Sequence, residues 1–152
     1  MQTMTGLLGA LEPEQRERLR ALGHDVAFEA GVRIFEEGDT ADRFWVLRTG
    51  SATLDMHVPG HRNVVIDHVR PGELLGWHWL FPPYQWTLGS EAASPVRALE
   101  FDARSVRVLC DEDARLGLAL TRAVAGVIGD RLHRARTRLI DLFGPYSPHS
   151  RI

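Results

Sequence analysis

The spacing of apolar residues changes period twice along the chain. Between Leu7 and Leu22, the leucines at 7, 8, 11, 19 and 22 fall at helical intervals, which predicts one amphipathic helix or two short ones against the side of a domain. Glu12-Pro13-Glu14 suits a fresh helix start, because proline's missing N–H costs nothing in a first turn. Gly23 predicts the stop, as a residue that tolerates positive φ. From His24 onward the period shortens. Runs at 26–28, 33–36, 43–48, 52–58, 64–69, 86–93 and 96–102 are alternating or continuously apolar. Between them stand turn residues such as Gly31, Gly38-Asp39, Gly50, Gly60, Pro71-Gly72 and Pro95. Short strands at this spacing predict an antiparallel sandwich or barrel.

After Phe101 the helical period returns. Asp102 is placed to cap a short helix over 103–110, and Asp111-Glu112-Asp113 sets negative charge at the start of the next, where the helix dipole favours it. No proline interrupts 114–143, a length of roughly 45 Å as helix and more than so small a domain covers. Two stripes run along it. Leu116, Leu120, Val124 and Val127 suit packing on the chain's own sheet. Leu118, Thr121, Ala125, Ile128, Leu132, Ala135, Leu139 and Leu142 alternate in steps of three and four, the seam of a two-stranded coiled coil. This predicts a parallel homodimer, against the alternative that both stripes form one wide intramolecular face.

Composition narrows the class. With 152 residues, 44% apolar and 25% charged, the chain fits one folded domain with terminal helices. No apolar run has transmembrane length and no basic-then-apolar leader opens the chain, so a cytoplasmic protein with no membrane contact is expected. The lone Cys110 reads as a small hydrophobe on a helix, and no Cys/His group has zinc-site spacing. A net charge of −2 gives no global field for nucleic acid. The last helix is locally basic through Arg131, Arg134, Arg136 and Arg138, which could meet phosphates or an acidic protein, or form a solvated face.

The stretch 71–94 carries the candidate chemistry. Trp77, Trp79, Phe81, Tyr84, Trp86 and His78 fall within ten positions, with Pro82-Pro83 between them. The pattern predicts a short helical piece over 73–80, a loop, and a new strand from Trp86. These aromatics could line a pocket, stack a base, or fill core. No nucleophile elbow, phosphate-cradling glycine loop or spaced carboxylate pair appears, so an enzyme is not expected.

Residues 31–54, GVRIFEEGDTADRFWVLRTGSATL, resemble the cyclic nucleotide-binding domain of the catabolite activator and oxygen-sensing regulator families. The likeness lies in an acidic-Gly-Asp turn, an aromatic-apolar strand and a glycine before the next strand. It implies a mainly β fold: a double-stranded β-helix (jelly-roll) barrel over 24–102, an N-terminal helical segment over 1–23, C-terminal helices over 103–143 and a tail over 144–152. Pro71-Gly72-Glu73-Leu74-Leu75-Gly76 then looks like the start of that family's phosphate-binding cassette, here 71–94. By the resemblance Glu73 takes the ribose hydroxyl, and Gly72, Leu74, Leu75, Gly76, Trp77, Gln85, Trp86 and Thr87 complete the ligand site. The family's cassette arginine has no counterpart, since no arginine or lysine lies between Arg70 and Arg97. A buried phosphate needs a paired cation, so a cyclic nucleotide held in the usual way is not expected. Some relatives bind haem; His78 has no second spaced ligand, so neither haem nor a metal is assigned.

The family's transcription factors carry a helix-turn-helix after the long helix. Nine residues, 144–152, remain here, so DNA reading in cis is not expected. The expected function is that of a stand-alone ligand sensor signalling to a partner protein through a dimeric C-terminal helix formed by Leu118, Ile128, Leu132, Leu139 and Leu142. The alternative is a ligand-free interaction module whose cassette is packed by its own aromatics.

Overall fold

The structure, a computed structural model, describes residues 6–143. A single 3-10 turn (Leu8–Ala10) precedes helix α1 (Pro13–Arg20), the second of the two alternatives for this segment. Glu12 and Gln15 close a reciprocal capping box at its start. Eight strands follow: β1 (His24–Phe28), β2 (Arg33–Phe35), β3 (Arg43–Thr49), β4 (Ala52–Met56), β5 (Val64–Val69), β6 (Leu74–Leu75), β7 (Gly89–Ala92) and β8 (Val96–Asp102). They form two antiparallel four-stranded sheets, ordered β1-β8-β3-β6 and β2-β7-β4-β5. Helices α2 (Ala103–Glu112) and α3 (Ala114–Phe143) complete the described residues.

Strand alternation divides the first sheet between two packing layers. Phe44 faces the helices and stacks between Trp79 at 4.0 Å and Phe101 at 4.8 Å. Its neighbour Trp45 points the other way, into the roll, where it meets Phe35 at 5.8 Å and Phe28 edge-on at 6.3 Å. Leu116, Leu120 and Val124 of α3 are fully buried in the core, and Val127, the fourth residue of that stripe, is partly buried against it; the elements that α3 meets most are α2 and the 3-10 turn at Leu8–Ala10. Asp102 caps α2 by accepting the Ser105 N–H at 2.9 Å, and Asp113 caps α3 through the Leu116 N–H at 3.1 Å.

Three local expectations are corrected. The helical piece over 73–80 is instead the two-residue β6, paired with β3 through Trp45↔Leu75 and Val46↔Leu74, then one 3-10 turn at His78–Leu80. Both leucines are fully buried, and two adjacent buried residues suit a strand covered on both faces. The strand expected from Trp86 begins only at Gly89, because Trp86 is turned into the core. Gly23 ends α1 without positive φ; a Cβ there would lie 3.1 Å from the Phe101 ring, so close packing selects the glycine.

Candidate ligand site between the roll and the long helix

The cassette opens at Gly72, whose φ of +87° belongs to the left-handed region that favours glycine. Its N–H donates to the Leu47 carbonyl at 2.7 Å. Glu73 turns its carboxylate back on the same turn, Oε1 accepting the Arg70 N–H at 2.8 Å. Leu74 and Leu75 are core. At Gly76, φ is +91°, and a Cβ would collide with the six-membered ring of Trp86. Trp86 stacks on Phe35 at 4.1 Å and extends the aromatic ladder through the roll. Trp79 is fully buried and its Nε1 donates to the Gly76 carbonyl at 3.1 Å. Two of the three cassette tryptophans are therefore packing.

The others stay at the rim. Trp77, half-buried, stacks on His78 at 3.7 Å, and His78 Nε2 lies 2.7 Å from the Thr87 hydroxyl. Burial lowers the His78 pKa from its ordinary 6.5, and the positive charge of Arg131 lowers it further. Gln85 is exposed and makes a backbone bridge with Thr40. The sequence-expected site residues thus divide: Gly72 and Glu73 form a turn, Leu74, Leu75 and Trp86 fill core, Gly76 makes room for Trp86, Gln85 faces solvent, and Trp77 and Thr87 meet at the edge through His78, which was not among them.

Sequence reasoning missed the arginines that helices α2 and α3 bring to this cassette. Arg107 of α2 donates to the Trp79 carbonyl at 2.7 Å and lies 4.3 Å over the Tyr84 ring. Tyr84 holds a φ of +54°, a strained conformation for a bulky residue, and the guanidinium rests on it. Arg131 of α3 is largely buried and donates through Nη2 to the Leu74 carbonyl at 2.6 Å. Its Nε is buried with no hydrogen-bond partner. Burial lowers its pKa, against which Asp67 and Glu73 favour the charged form. One and two turns further on, Arg134 pairs with Asp67 at 3.1 Å and Arg138 donates to the Ile66 carbonyl at 3.1 Å. The basic segment is thus no uniformly solvated face. The available signal was spacing: 131, 134 and 138 fall at i, i+3 and i+7, one side of a helix, and Arg136 does not.

These three guanidinium groups stand along a cavity of about 630 Å³ between β5 and α3. Apart from Asp67, its other walls are aliphatic, including Leu54, Val64, Ile66, Leu88 and Leu139. A second cavity of about 350 Å³ lies beside Glu73, under Leu7 and Ala10, and shares Arg131 and Arg134 with the first. Arg131 is the post between a carboxylate on one side and an apolar chamber on the other. Among the described residues there is no cluster of three or more His, Cys, Asp or Glu side chains able to hold a metal ion, and no helix long and apolar enough to cross a membrane.

Two antiparallel four-stranded sheets, a glycine-flanked cassette and a long helix after the last strand define a jelly-roll domain with flanking helices. The cyclic nucleotide-binding domain family matches residues 25–113, and the chain belongs to that family. It is 25% identical over 137 residues to a CRP-like cAMP-activated global transcriptional regulator of Mycobacterium tuberculosis, covering 90% of this chain and 59% of that protein. The chain therefore spans little more than half the length of the curated relatives it matches. Among solved structures, the N-terminal domain of a transcriptional regulator from Streptomyces coelicolor shares 31% identity and a TM-score of 0.69, with 82% of this chain and 89% of that one covered. The Thermus thermophilus catabolite activator protein shares the fold, with a TM-score of 0.72 at 20% identity, over 90% of this chain and 62% of its own.

Proposed function

We propose that this domain is a ligand-responsive regulatory module in which a small anionic ligand sits between the roll and α3, and α3 relays its binding to a partner protein. The observation that carries this reading is Arg131: largely buried, bonded to the cassette at Leu74, and left with an unpartnered Nε beside a cavity. A buried cation with spare donors is costly unless an anion meets it. The cation that the cassette lacks is here supplied by the helix. A ligand bridging Arg131 and the cassette changes how firmly α3 is held to the roll, which is the differential contact that a two-state response requires. The seam of α3, through the exposed Leu118, Leu132, Leu139 and Leu142 and the partly buried Ile128, is assigned to a homodimer that receives the change. Cytoplasmic residence and a non-enzymatic role belong to the same reading.

A second reading has its own support. Trp86 against Gly76, Trp79 in the core and Glu73 on its own turn describe a cassette already satisfied by packing, as in a ligand-free interaction module. Native mass spectrometry of the purified protein, with calorimetry against cyclic AMP and cyclic GMP, separates the two. A retained small anion, or a saturable heat abolished by Arg131→Gln, supports the sensor. A bare protein with no heat, whose fold Arg131→Gln leaves unchanged, supports the module.

A further inference from the structure

Resting on the sensor reading, we infer that the chamber between β5 and α3 takes an amphipathic anion: an aliphatic body among the roll's leucines and valines, and one carboxylate or phosphate head at Arg131, Arg134 and Arg138. The argument is the distribution of polar atoms over the chamber wall. From β4, β5 and the cassette come Leu54, Val64, Val65, Ile66 and Leu88, none with a side-chain hydrogen-bonding group. Asp67 is the acidic group on the wall and is already paired with Arg134. All remaining polarity is cationic and lies along α3. A heterocyclic base would bury its N–H and ring-nitrogen edge against hydrocarbon, leaving those groups unpaired. An alkyl chain would leave nothing unpaired.

The head group is matched equally well. Each guanidinium carries five donors in a planar fork, and each is anchored by a bond to the domain: Arg131 on Leu74, Arg134 on Asp67, Arg138 on Ile66. Anchored donors around a chamber are preorganised for an oxyanion. At about 630 Å³ the chamber lies within the roughly 300–1,000 Å³ typical of small-ligand sites.

The test is calorimetry on the full chain with decanoate, decyl phosphate, decan-1-ol and cyclic AMP, all below micelle-forming concentrations. At least one of the two acids is expected to bind saturably, once per chain, at least tenfold more tightly than the alcohol. Arg131→Gln should weaken it tenfold or more with unchanged circular dichroism, and Leu88→Trp, which puts a larger side chain in the chamber wall and leaves the arginines in the sequence, should abolish it. Decanoate against decyl phosphate identifies the head. Equal affinity for alcohol and acids, several molecules per chain, or binding that survives both variants would overturn the assignment. Binding of cyclic AMP with neither acid would overturn it while leaving the sensor reading intact. No binding by any probe, the result if a second copy of α3 fills the chamber, would remove both.

Discussion

Gly76 and Trp86 show at residue scale how this cassette departs from an open pocket. The indole occupies the place where a Cβ would stand, and the backbone there has φ of +91°. Gly76→Ala must therefore both move the ring and adopt a strained conformation, for an expected loss of about 2–4 kcal/mol in urea unfolding. His78 gives a pH signature. Its folded-state pKa lies below the ordinary 6.5 because of burial and Arg131, so below neutrality the unfolded chain binds the proton more readily. The stability held by neutral His78 is complete above about 6.5 and is lost as pH falls through the folded pKa. Unfolding free energies at pH 7.5 and 5.5 should differ less in His78→Gln than in the native chain. An equal difference in both would show that other groups set the acid sensitivity. Cys110, whose pKa burial raises, is held as the neutral thiol, in keeping with a small hydrophobe on α2.

At the scale of elements, strand and helix existence was legible because each depends on local periodicity. The bounds of α3 and the cap at Asp102 follow from proline-free helical spacing and a side chain that reaches its own third N–H. Asp102→Ala should cost about 1 kcal/mol of stability by thermal or urea unfolding, with Ser105→Ala smaller. The cassette was legible only as a place. Its interior order depends on partners far away in sequence: β6 exists because β3 offers an edge, and the loop around Tyr84 is held by Arg107 from α2. Nothing near residues 71–94 announces arginines that stand 28 and 57 positions from the cassette carbonyls they bind. Arg107→Ala should leave the sheets folded yet loosen this loop, seen as faster amide exchange confined to residues 79–86.

For the whole molecule, the decisive feature is that α3 changes role along its length. Its first half is buried on the domain through Leu116, Leu120 and Val124, whereas Leu132 is 61% and Leu139 56% exposed. Side chains of this size standing in solvent at heptad spacing are expected to find a second helix, each contributing about 1.5–3 kcal/mol if fully buried, before association costs are subtracted. Leu132→Glu should therefore convert a dimer to a monomer in sedimentation equilibrium, with little change in the secondary structure of the roll. A native chain that sediments as a monomer at micromolar concentration would refute the seam. The same half of the helix carries Arg131, Arg134 and Arg138, and Leu139 belongs both to the seam and to the wall of the chamber. Ligand and second subunit therefore compete for, or jointly fix, one stretch of helix. Linkage then requires any ligand that binds monomer and dimer differently to shift the dimer constant by the same factor. Measured with and without a saturating ligand, an unchanged dimer constant would separate binding from signalling in this domain and move the relay to the cassette and α2.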